Sequence, residues 1–223
     1  MSIVFFLFLF STLNLIKALM TNIRPVSLIL GSSSPIRQQL LRTTGIAFDV
    51  AAANIDERSI GNRLSDPETL VGRLSQTKAD KIIQELNLSS PPSSNTLLLT
   101  ADQVVTNTGI IMEKPVNADE ARRFVESYSS NSCTTVGCLQ LTRISTLQTM
   151  SVIDKATVHF KYIPPTVIDE LISDANVMNC AGALMIEHPL LEKYIDRIDG
   201  DPQSVMGLST KLLNSMLMNM QQN

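Results

Sequence analysis

The sequence contains no tryptophan, only two histidines and only three cysteines among its 223 residues. Cys133, Cys138 and Cys180 form no CxxC pair, which excludes a site built on paired cysteine ligands. His159 and His188 are too few for a histidine-based triad or zinc centre. An odd cysteine count in a chain of this size is typical of free thiols, so we expect a reducing, cytoplasmic location.

An excess of positive charge is also missing. The 18 Lys and Arg residues stand against 21 Asp and Glu residues, for a net charge of −3. A chain without a global positive field is a poor binder of nucleic-acid polymers, although a few local cations suffice for a small phosphorylated substrate. A hydrophobic content of 44% with 17% charged residues argues against disorder and coiled coil, and the length fits one domain.

A long apolar run occurs only at the start of the chain. Ile3 to Phe10 is unbroken, but it is shorter than the roughly 20 residues of a membrane span. A signal peptide carries a Lys or Arg before its apolar run, but here the first cation, Lys17, comes after the run. A start-codon extension before Met20, a cleaved signal and a weak anchor therefore remain open. We expect residues 1–20 to be a hydrophobic leader, separate from a single domain over 24–220, with membrane contact only if the leader is retained.

The rest of the chain mixes helical and strand patterns. The run from Val26 to Leu30, followed by small residues and Pro35, predicts a strand, a tight loop and a helix. A 3.6-residue apolar period predicts a second helix from Asp66 to about Asn87.

Strands dominate the later part. Leu97–Leu99 opens a buried strand that we expect to end near Asp102. The alternating segment 155–162 predicts a half-buried strand paired with Gly137 to Ile144, and Ala183 to Ile186 predicts another buried strand. The mixture indicates an α/β fold with a mixed sheet flanked by helices.

The first candidate binding site is the small-residue loop after the first strand. Ser32 and Ser34 supply hydroxyl donors at a helix N-terminus, where free N–H groups and the helix dipole favour an anion. Arg37, in the first turn of that helix, can form two hydrogen bonds to a phosphate. Taken alone, the pattern is more often an ordinary helix cap beside a surface arginine.

Four further charged residues are candidates, each with a simpler interpretation. Lys78 lies on the apolar face of its helix, so it either points into a cleft or extends to its edge. Asp102 follows an apolar strand, at the place where α/β sheets bind ligands or where a turn begins. Glu57 and Lys114 are unremarkable singly.

Taken in chain order, these residues resemble one family, the Maf nucleotide pyrophosphatases. The resemblance extends from about Val26 to the last helix and rests on an ordered set of short motifs: Ser-x-Ser-Pro-x-Arg at Ser32–Arg37, Asp-Glu at Glu57, Lys78-Ala79, Ala101-Asp102, Lys114-Pro115, Ala181-Gly182-Ala183 and Gly200–Leu208. The segment from Ser127 to Gly137, together with Ile186–Pro189, looks most like the eukaryotic branch of the family.

The resemblance implies an activity and a set of roles. Maf proteins hydrolyse nucleoside triphosphates to a monophosphate and pyrophosphate with a divalent cation, Mg²⁺ or Mn²⁺, in a cleft between two lobes. Asp102 matches the catalytic proton acceptor and, with Glu57, a metal-holding pair. The residues that match the substrate-binding positions are Ser32, Ser34, Arg37, Lys78 and Lys114. A homodimer is also implied, and the rival interpretation is a nucleotide-binding regulatory module without turnover.

Three positions differ from the better-studied bacterial members. Ile36 stands where they have a second Arg, Gln103 where they have Thr, and Glu187 where they have Gln. The family resemblance ties these three positions to substrate choice. The sequence therefore leaves open whether the substrate is a thymidine or uridine triphosphate or a methylated guanosine triphosphate.

Overall fold

A computed structural model of the chain describes residues 27–64, 66–89 and 95–222. The predicted hydrophobic leader, residues 1–20, lies outside the described residues. Within the described residues, no helix has both the length and the apolar character needed to cross a membrane.

The centre of the fold is a mixed seven-stranded sheet. The strands are β1 Ser27–Gly31, β2 Phe48–Val50, β3 Thr96–Asn107, β4 Ile110–Met112, β5 Cys133–Arg143, β6 Gln148–Phe160 and β7 Ile195–Asp199. Their order in the sheet is β2-β1-β3-β5-β6-β7, with β4 paired to β3. The strand β1 is parallel to β2 and β3, whereas the remaining pairs are antiparallel. The predicted α/β fold with a mixed sheet is confirmed. The strands β5 and β6 are neighbours, but the predicted register is wrong: residues 155–158 lie opposite 133–136, whereas Gly137 to Arg143 lie opposite Asp154 to Gln148.

Helices cover the sheet on both faces. Those in the described residues are α1 Pro35–Thr43, α2 Pro67–Ser89, α3 Ala118–Tyr128, α4 Pro165–Ile172, α5 Pro189–Glu192, α6 Pro202–Val205 and α7 Thr210–Gln222, with 3-10 turns at Glu57–Ser59, Val177–Asn179 and Ala181–Ala183. The first two helices begin where the sequence predicts, with Ser34 as the N-cap of α1 and Pro67 as the first residue of α2. Asn117 caps α3 by accepting a hydrogen bond from the Glu120 backbone N–H.

The strand β3 is buried on both faces, which explains its unbroken apolar start. On one face, Leu98 and Val104 pack against α2 through Ile82 and Leu74 respectively. On the other face, Leu97 and Leu99 form a cluster with α1 and α7, among others. The two faces thus anchor β3 and α2, the elements that carry Asp102 and Lys78.

The prediction that this strand ends near Asp102 is wrong, because β3 continues to Asn107. The parallel neighbour β1 does end here: its last residue, Gly31, lies opposite Thr100. Asp102 therefore pairs with Cys138 of β5 on one side, two residues beyond the end of β1 on the other. The Asp102 carboxylate therefore lies in the crevice beyond the end of β1, on a strand, β3, that continues past it.

The predicted strand from Ala183 to Ile186 is also wrong. Gly182 has φ +64° and Ala183 φ +51°, left-handed values that interrupt an extended backbone. The segment instead forms a turn whose carbonyl at Gly182 accepts a 2.6 Å hydrogen bond from the Tyr128 hydroxyl. Its apolar side chains are buried as predicted, but by packing of a loop against the cluster around α3 and α4.

Candidate active site

A lysine joins two carboxylates at the centre of the site. Lys78 Nζ lies 2.5 Å from Asp102 Oδ1 and 2.8 Å from Glu57 Oε1. The side chains of Lys78 and Asp102 are 11% and 10% exposed, whereas that of Glu57 is 44% exposed. Lys78 therefore points into the cleft and does not extend to its edge, and Glu57 forms the open side of the cluster.

The same cluster moves the two carboxyl pKa values in opposite directions. Burial raises the pKa of Asp102 above its ordinary value, although Lys78 and Arg37 oppose it. Burial alone would also raise the pKa of Glu57, but Lys78, followed by Lys114 and Arg37, lowers it overall. A buried carboxylate with a raised pKa and a half-exposed one with a lowered pKa are suited to different tasks, the first to accepting a proton and the second to holding a cation.

Arg37 links three separate segments beside this cluster. Its Nη1 donates to the Ala101 carbonyl at 2.8 Å and to Ser32 Oγ at 3.4 Å, and its Nε donates to the Gly207 carbonyl at 3.1 Å. Burial lowers the pKa of Arg37, against the effects of Asp102 and Glu57. The guanidinium thus positions the loop, strand β3 and the segment before α7, in addition to placing positive charge in the cleft.

The loop that carries the two candidate serines has the predicted form, a strand followed by a tight turn into a helix. Ser34 Oγ accepts a 3.4 Å hydrogen bond from the Arg37 backbone N–H, and Ser32 Oγ accepts a 3.2 Å bond from the Ser34 backbone N–H. Both hydroxyl oxygens therefore shape the loop, and binding of phosphate by Ser32 and Ser34 stays a prediction.

Lys114 and Glu187 are both exposed, and both are close enough to Cys180 to affect the pKa of its thiol. Burial raises the pKa of the Cys180 thiol to about 11, an effect that Glu187 increases and Lys114 opposes. Lys114 also helps to lower the pKa of Glu57. Lys114 is therefore within electrostatic range of both Glu57 and Cys180.

The two other predicted specificity positions, Ile36 and Gln103, contact other parts of the chain. Ile36 is partly buried and packs against the cluster formed by α1, α7 and β1. Gln103 Nε2 donates a 2.8 Å hydrogen bond to the Val205 carbonyl at the end of α6. Their roles in substrate choice stay predictions.

Sequence reasoning missed two residues that shape the site. Arg63 contacts the backbone of Glu57, but it lies in an irregular loop where no periodicity marks its direction. Gly207 is part of a recognised motif, yet its role depends on its φ of +103° and on how closely Arg37 and Gln103 approach it. Only the positive-φ preference of glycine could have singled it out.

Replacing Gly207 with alanine should disturb Arg37 and Gln103 together. A Cβ here would lie 2.7 Å from Gln103 Oε1 and 3.2 Å from Arg37 Nε, on a backbone conformation that strains any other residue. We expect a loss of about 1–3 kcal/mol in the free energy of unfolding. We also expect a higher KM for the triphosphate, because the Arg37 guanidinium is displaced. Thermal melts and steady-state kinetics check this, with Gly45→Ala as the control, because Gly45 also has positive φ but has open space around it. Equal KM values in the two variants would contradict the prediction.

The donor set suits a cation that arrives with its substrate. Mg²⁺ is typically held by one or two carboxylates together with substrate phosphates. Asp102 and Glu57 are two such carboxylates, and Lys78 contacts the first through Oδ1 and the second through Oε1. Within the described residues, no group of three or more His, Cys, Asp or Glu side chains could hold a metal ion without such help.

A buried carboxylate, a half-exposed one and the cations Arg37, Lys78 and Lys114 suit a hydrolase that acts on a phosphorylated substrate. A family profile described as Maf-like protein matches residues 27–220. The chain belongs to the Maf family.

Curated relatives agree with this assignment. The chain is 32% identical to a 7-methyl-GTP pyrophosphatase of Dictyostelium discoideum over 85% of this chain and 95% of that protein. It is 30% identical to a nucleoside triphosphate pyrophosphatase of Cutibacterium acnes, covering 86% of this chain and 90% of that one. A 7-methyl-GTP pyrophosphatase of Idiomarina loihiensis is 27% identical over 85% and 92%. The predicted class of enzyme, a nucleoside triphosphate pyrophosphatase, is confirmed.

Proposed function

We propose that this enzyme hydrolyses 7-methyl-GTP, or a closely related methylated purine triphosphate, to the monophosphate and pyrophosphate, with Asp102 as the proton acceptor. The observation that carries the chemistry is the buried Asp102 carboxylate, 2.5 Å from Lys78 and with a raised pKa. A general base works best when its pKa is shifted toward the working pH, and burial shifts a carboxyl in that direction.

The reaction requires water to attack the α-phosphorus while the bond to the bridging oxygen of pyrophosphate breaks. Asp102 accepts the proton of that water, and the bonding electrons leave with pyrophosphate. Negative charge spreads over the phosphate oxygens in the transition state, so fixed positive groups accelerate the step. Lys78, Arg37 and Lys114 supply that charge in a chain that is acidic overall.

The divalent cation fits the open side of this cluster. Glu57, partly exposed and with a lowered pKa, would hold Mg²⁺ or Mn²⁺ together with Asp102 and the substrate phosphates. The ion, when bound, supplies further positive charge to the polyphosphate.

Glu187 supports a guanine substrate. A carboxylate only accepts hydrogen bonds, and the Watson–Crick edge of guanine presents two adjacent donors, the ring N–H and the amino group. Uracil and thymine present one donor between two acceptors, which a carboxylate matches poorly. Methylation at N7 gives the guanine ring a positive charge, which the exposed carboxylate of Glu187 also favours. Two relatives named for 7-methyl-GTP point to the same substrate.

Pyrophosphate release over a panel of triphosphates tests the proposal. The panel contains 7-methyl-GTP, GTP, ATP, UTP and dTTP at equal concentration with Mg²⁺, and the products are separated to distinguish pyrophosphate from phosphate. We expect the highest kcat/KM for 7-methyl-GTP. A higher value for UTP or dTTP would overturn the base assignment, and release of phosphate alone would overturn the bond assignment.

Replacing Glu187 with glutamine should narrow the preference for 7-methyl-GTP over UTP by about 10- to 100-fold, because one charge-assisted hydrogen bond is lost and a donor faces a donor. The measurement is the ratio of kcat/KM values in the variant and the parent. Glu192→Gln is the matched control, since Glu192 is an exposed glutamate in the adjacent helix α5. An unchanged ratio would place Glu187 outside the base pocket.

We also propose that the enzyme is a cytoplasmic homodimer. Its odd number of cysteines, all free in the structure, suits a reducing compartment. Sedimentation at several protein concentrations tests the dimer, and fractionation of cells tests the location.

A further inference from the structure

An arginine outside the central cluster joins the two loops that carry Glu57 and Lys114. Arg63 Nε lies 2.6 Å from Glu113 Oε2, and its Nη2 lies 3.3 Å from Glu113 Oε1. The two side chains are 23% and 35% exposed. A bidentate pair of this kind fixes the relative orientation of its two partners as well as their separation.

The same guanidinium also holds its own loop. Arg63 Nη1 donates to the Ile60 carbonyl and Nη2 to the Glu57 carbonyl, each at 2.5 Å. These bonds close the segment from Glu57 to Arg63 into a compact turn. Arg63 thus contacts the backbone of the residue whose side chain contacts Lys78.

The other end of the pair adjoins Lys114, the candidate substrate-binding lysine. Glu113 immediately precedes Lys114, and the Gly182 backbone N–H donates a 2.9 Å hydrogen bond to the Glu113 carbonyl. Lys114 in turn lies close enough to Glu57 to lower its pKa. A displacement of either loop would therefore separate a carboxylate from a cation that act on one substrate.

We propose that Arg63 and Glu113 are positioning residues for the pyrophosphatase reaction, and that they hold Glu57 and Lys114 at the distance the triphosphate and its cation require. The proposal rests on the roles given to those two residues under the proposed function. Arginine is needed because a lysine ammonium, as a single point, cannot donate to two carboxylate oxygens and two carbonyls at once.

The test compares Arg63→Ala and Arg63→Lys with the matched control Arg58→Ala, an exposed arginine in the same loop. We expect kcat/KM for the preferred triphosphate to fall about 10- to 100-fold in both Arg63 variants and less than threefold in the control. Lys114→Ala should reduce kcat/KM at least threefold less in the Arg63→Ala background than in the parent, because Lys114 is already misplaced there. Full activity of Arg63→Lys, or strictly multiplicative effects of the two alanine substitutions, would overturn the proposal.

Hydrogen exchange gives a readout that does not depend on turnover. Arg63→Ala should accelerate exchange at the amides of residues 57–63 and 113–117 together, with little change in the sheet, whereas Arg58→Ala should not. If the parent enzyme released no pyrophosphate from any triphosphate, the proposed function would fail, and exchange would still decide whether the pair joins the loops. Unchanged exchange at both segments in Arg63→Ala would overturn the proposal.

Discussion

Asp102→Asn should reduce pyrophosphate release by about 10²- to 10⁴-fold, the usual contribution of a positioned general base. Asparagine has nearly the same size and keeps an oxygen that can accept the hydrogen bond from Lys78, but it cannot take a proton from water. Nucleotide binding should stay within about tenfold of the parent, because Arg37 and Lys114 still contribute positive charge. Product release and a direct binding titration on the folded variant are the two measurements.

The matched control is Asp49→Asn, a change in an exposed carboxylate on the edge strand β2. We expect it to keep full turnover. If Asp102→Asn retained turnover within threefold of the parent, Asp102 would have no part in the proton transfer. If the variant failed to fold, circular dichroism would show it, and Asp102 would be a structural residue.

The pH profile of the parent supplies an independent check on Asp102. The base must be ionised to accept a proton, so activity should fall as the pH drops through its pKa. Because burial raises that pKa, the acid limb of kcat/KM should lie above the ordinary aspartate value of about 3.9. Asp102→Asn should abolish this limb.

Lys78→Met should have the second-largest effect, because it leaves two carboxylates facing each other without their shared cation. Methionine keeps much of the length and the packing in α2 but removes the ammonium. The pKa of Asp102 should rise further, since burial and Glu57 then act on it without the opposition of Lys78. We expect turnover at neutral pH to fall about 10²-fold or more, with the acid limb moved to higher pH.

The same substitution should also lower stability in a pH-dependent way. Removing one partner of a buried pair costs at most about 3–5 kcal/mol of unfolding free energy, and the partial exposure of Glu57 reduces this figure. A carboxyl whose pKa is raised on folding stabilises the protein when protonated, so the deficit should shrink as the pH falls through the raised pKa of Asp102. Denaturant unfolding at several pH values measures it.

Lys81→Met is the control on the same helix. Lys81 forms an exposed ion pair with Glu85, at 3.3 Å, and such pairs contribute about 0–1 kcal/mol. We expect neither the acid limb nor turnover to change in it. A Lys78→Met enzyme with the parental pH profile would show that Asp102 does not depend on Lys78 for its ionisation.

The sequence predicted the elements whose pattern is local. The 3.6-residue period of α2, the Pro35 start of α1 and the alternation in β6 each follow from the contacts of one element with one neighbouring surface. The segment from Ala183 to Ile186 shows the limit of this reasoning. Its apolar side chains are buried, but the positive φ values of Gly182 and Ala183 shape a turn, and hydrophobicity alone does not distinguish a buried turn from a buried strand.

Within the site, the residue types could be predicted but their contacts could not. From the sequence, the Lys78 side chain could point into the cleft or extend to its edge. Its actual direction depends on Asp102, which lies 24 positions later in the chain on a different element. Arg37 and Arg63 each donate to two backbone carbonyls, and every residue has a carbonyl, so no sequence pattern marks those partners. Such contacts become visible only when the course of the backbone is known.

Because Asp102 lies in the interior of β3 and Glu187 on an irregular segment, mutations can affect one without affecting the other during evolution. The carboxylate is held by a strand that pairs with β5 through ten successive residues, Leu97 to Thr106, so a mutation that moved it would disrupt the whole sheet. Glu187 lies on an irregular segment that can change its sequence without touching that ladder. With the roles proposed for Asp102 and Glu187, a lineage could acquire a new preferred base by exchanging a few loop residues, while the hydrolytic step is inherited unchanged.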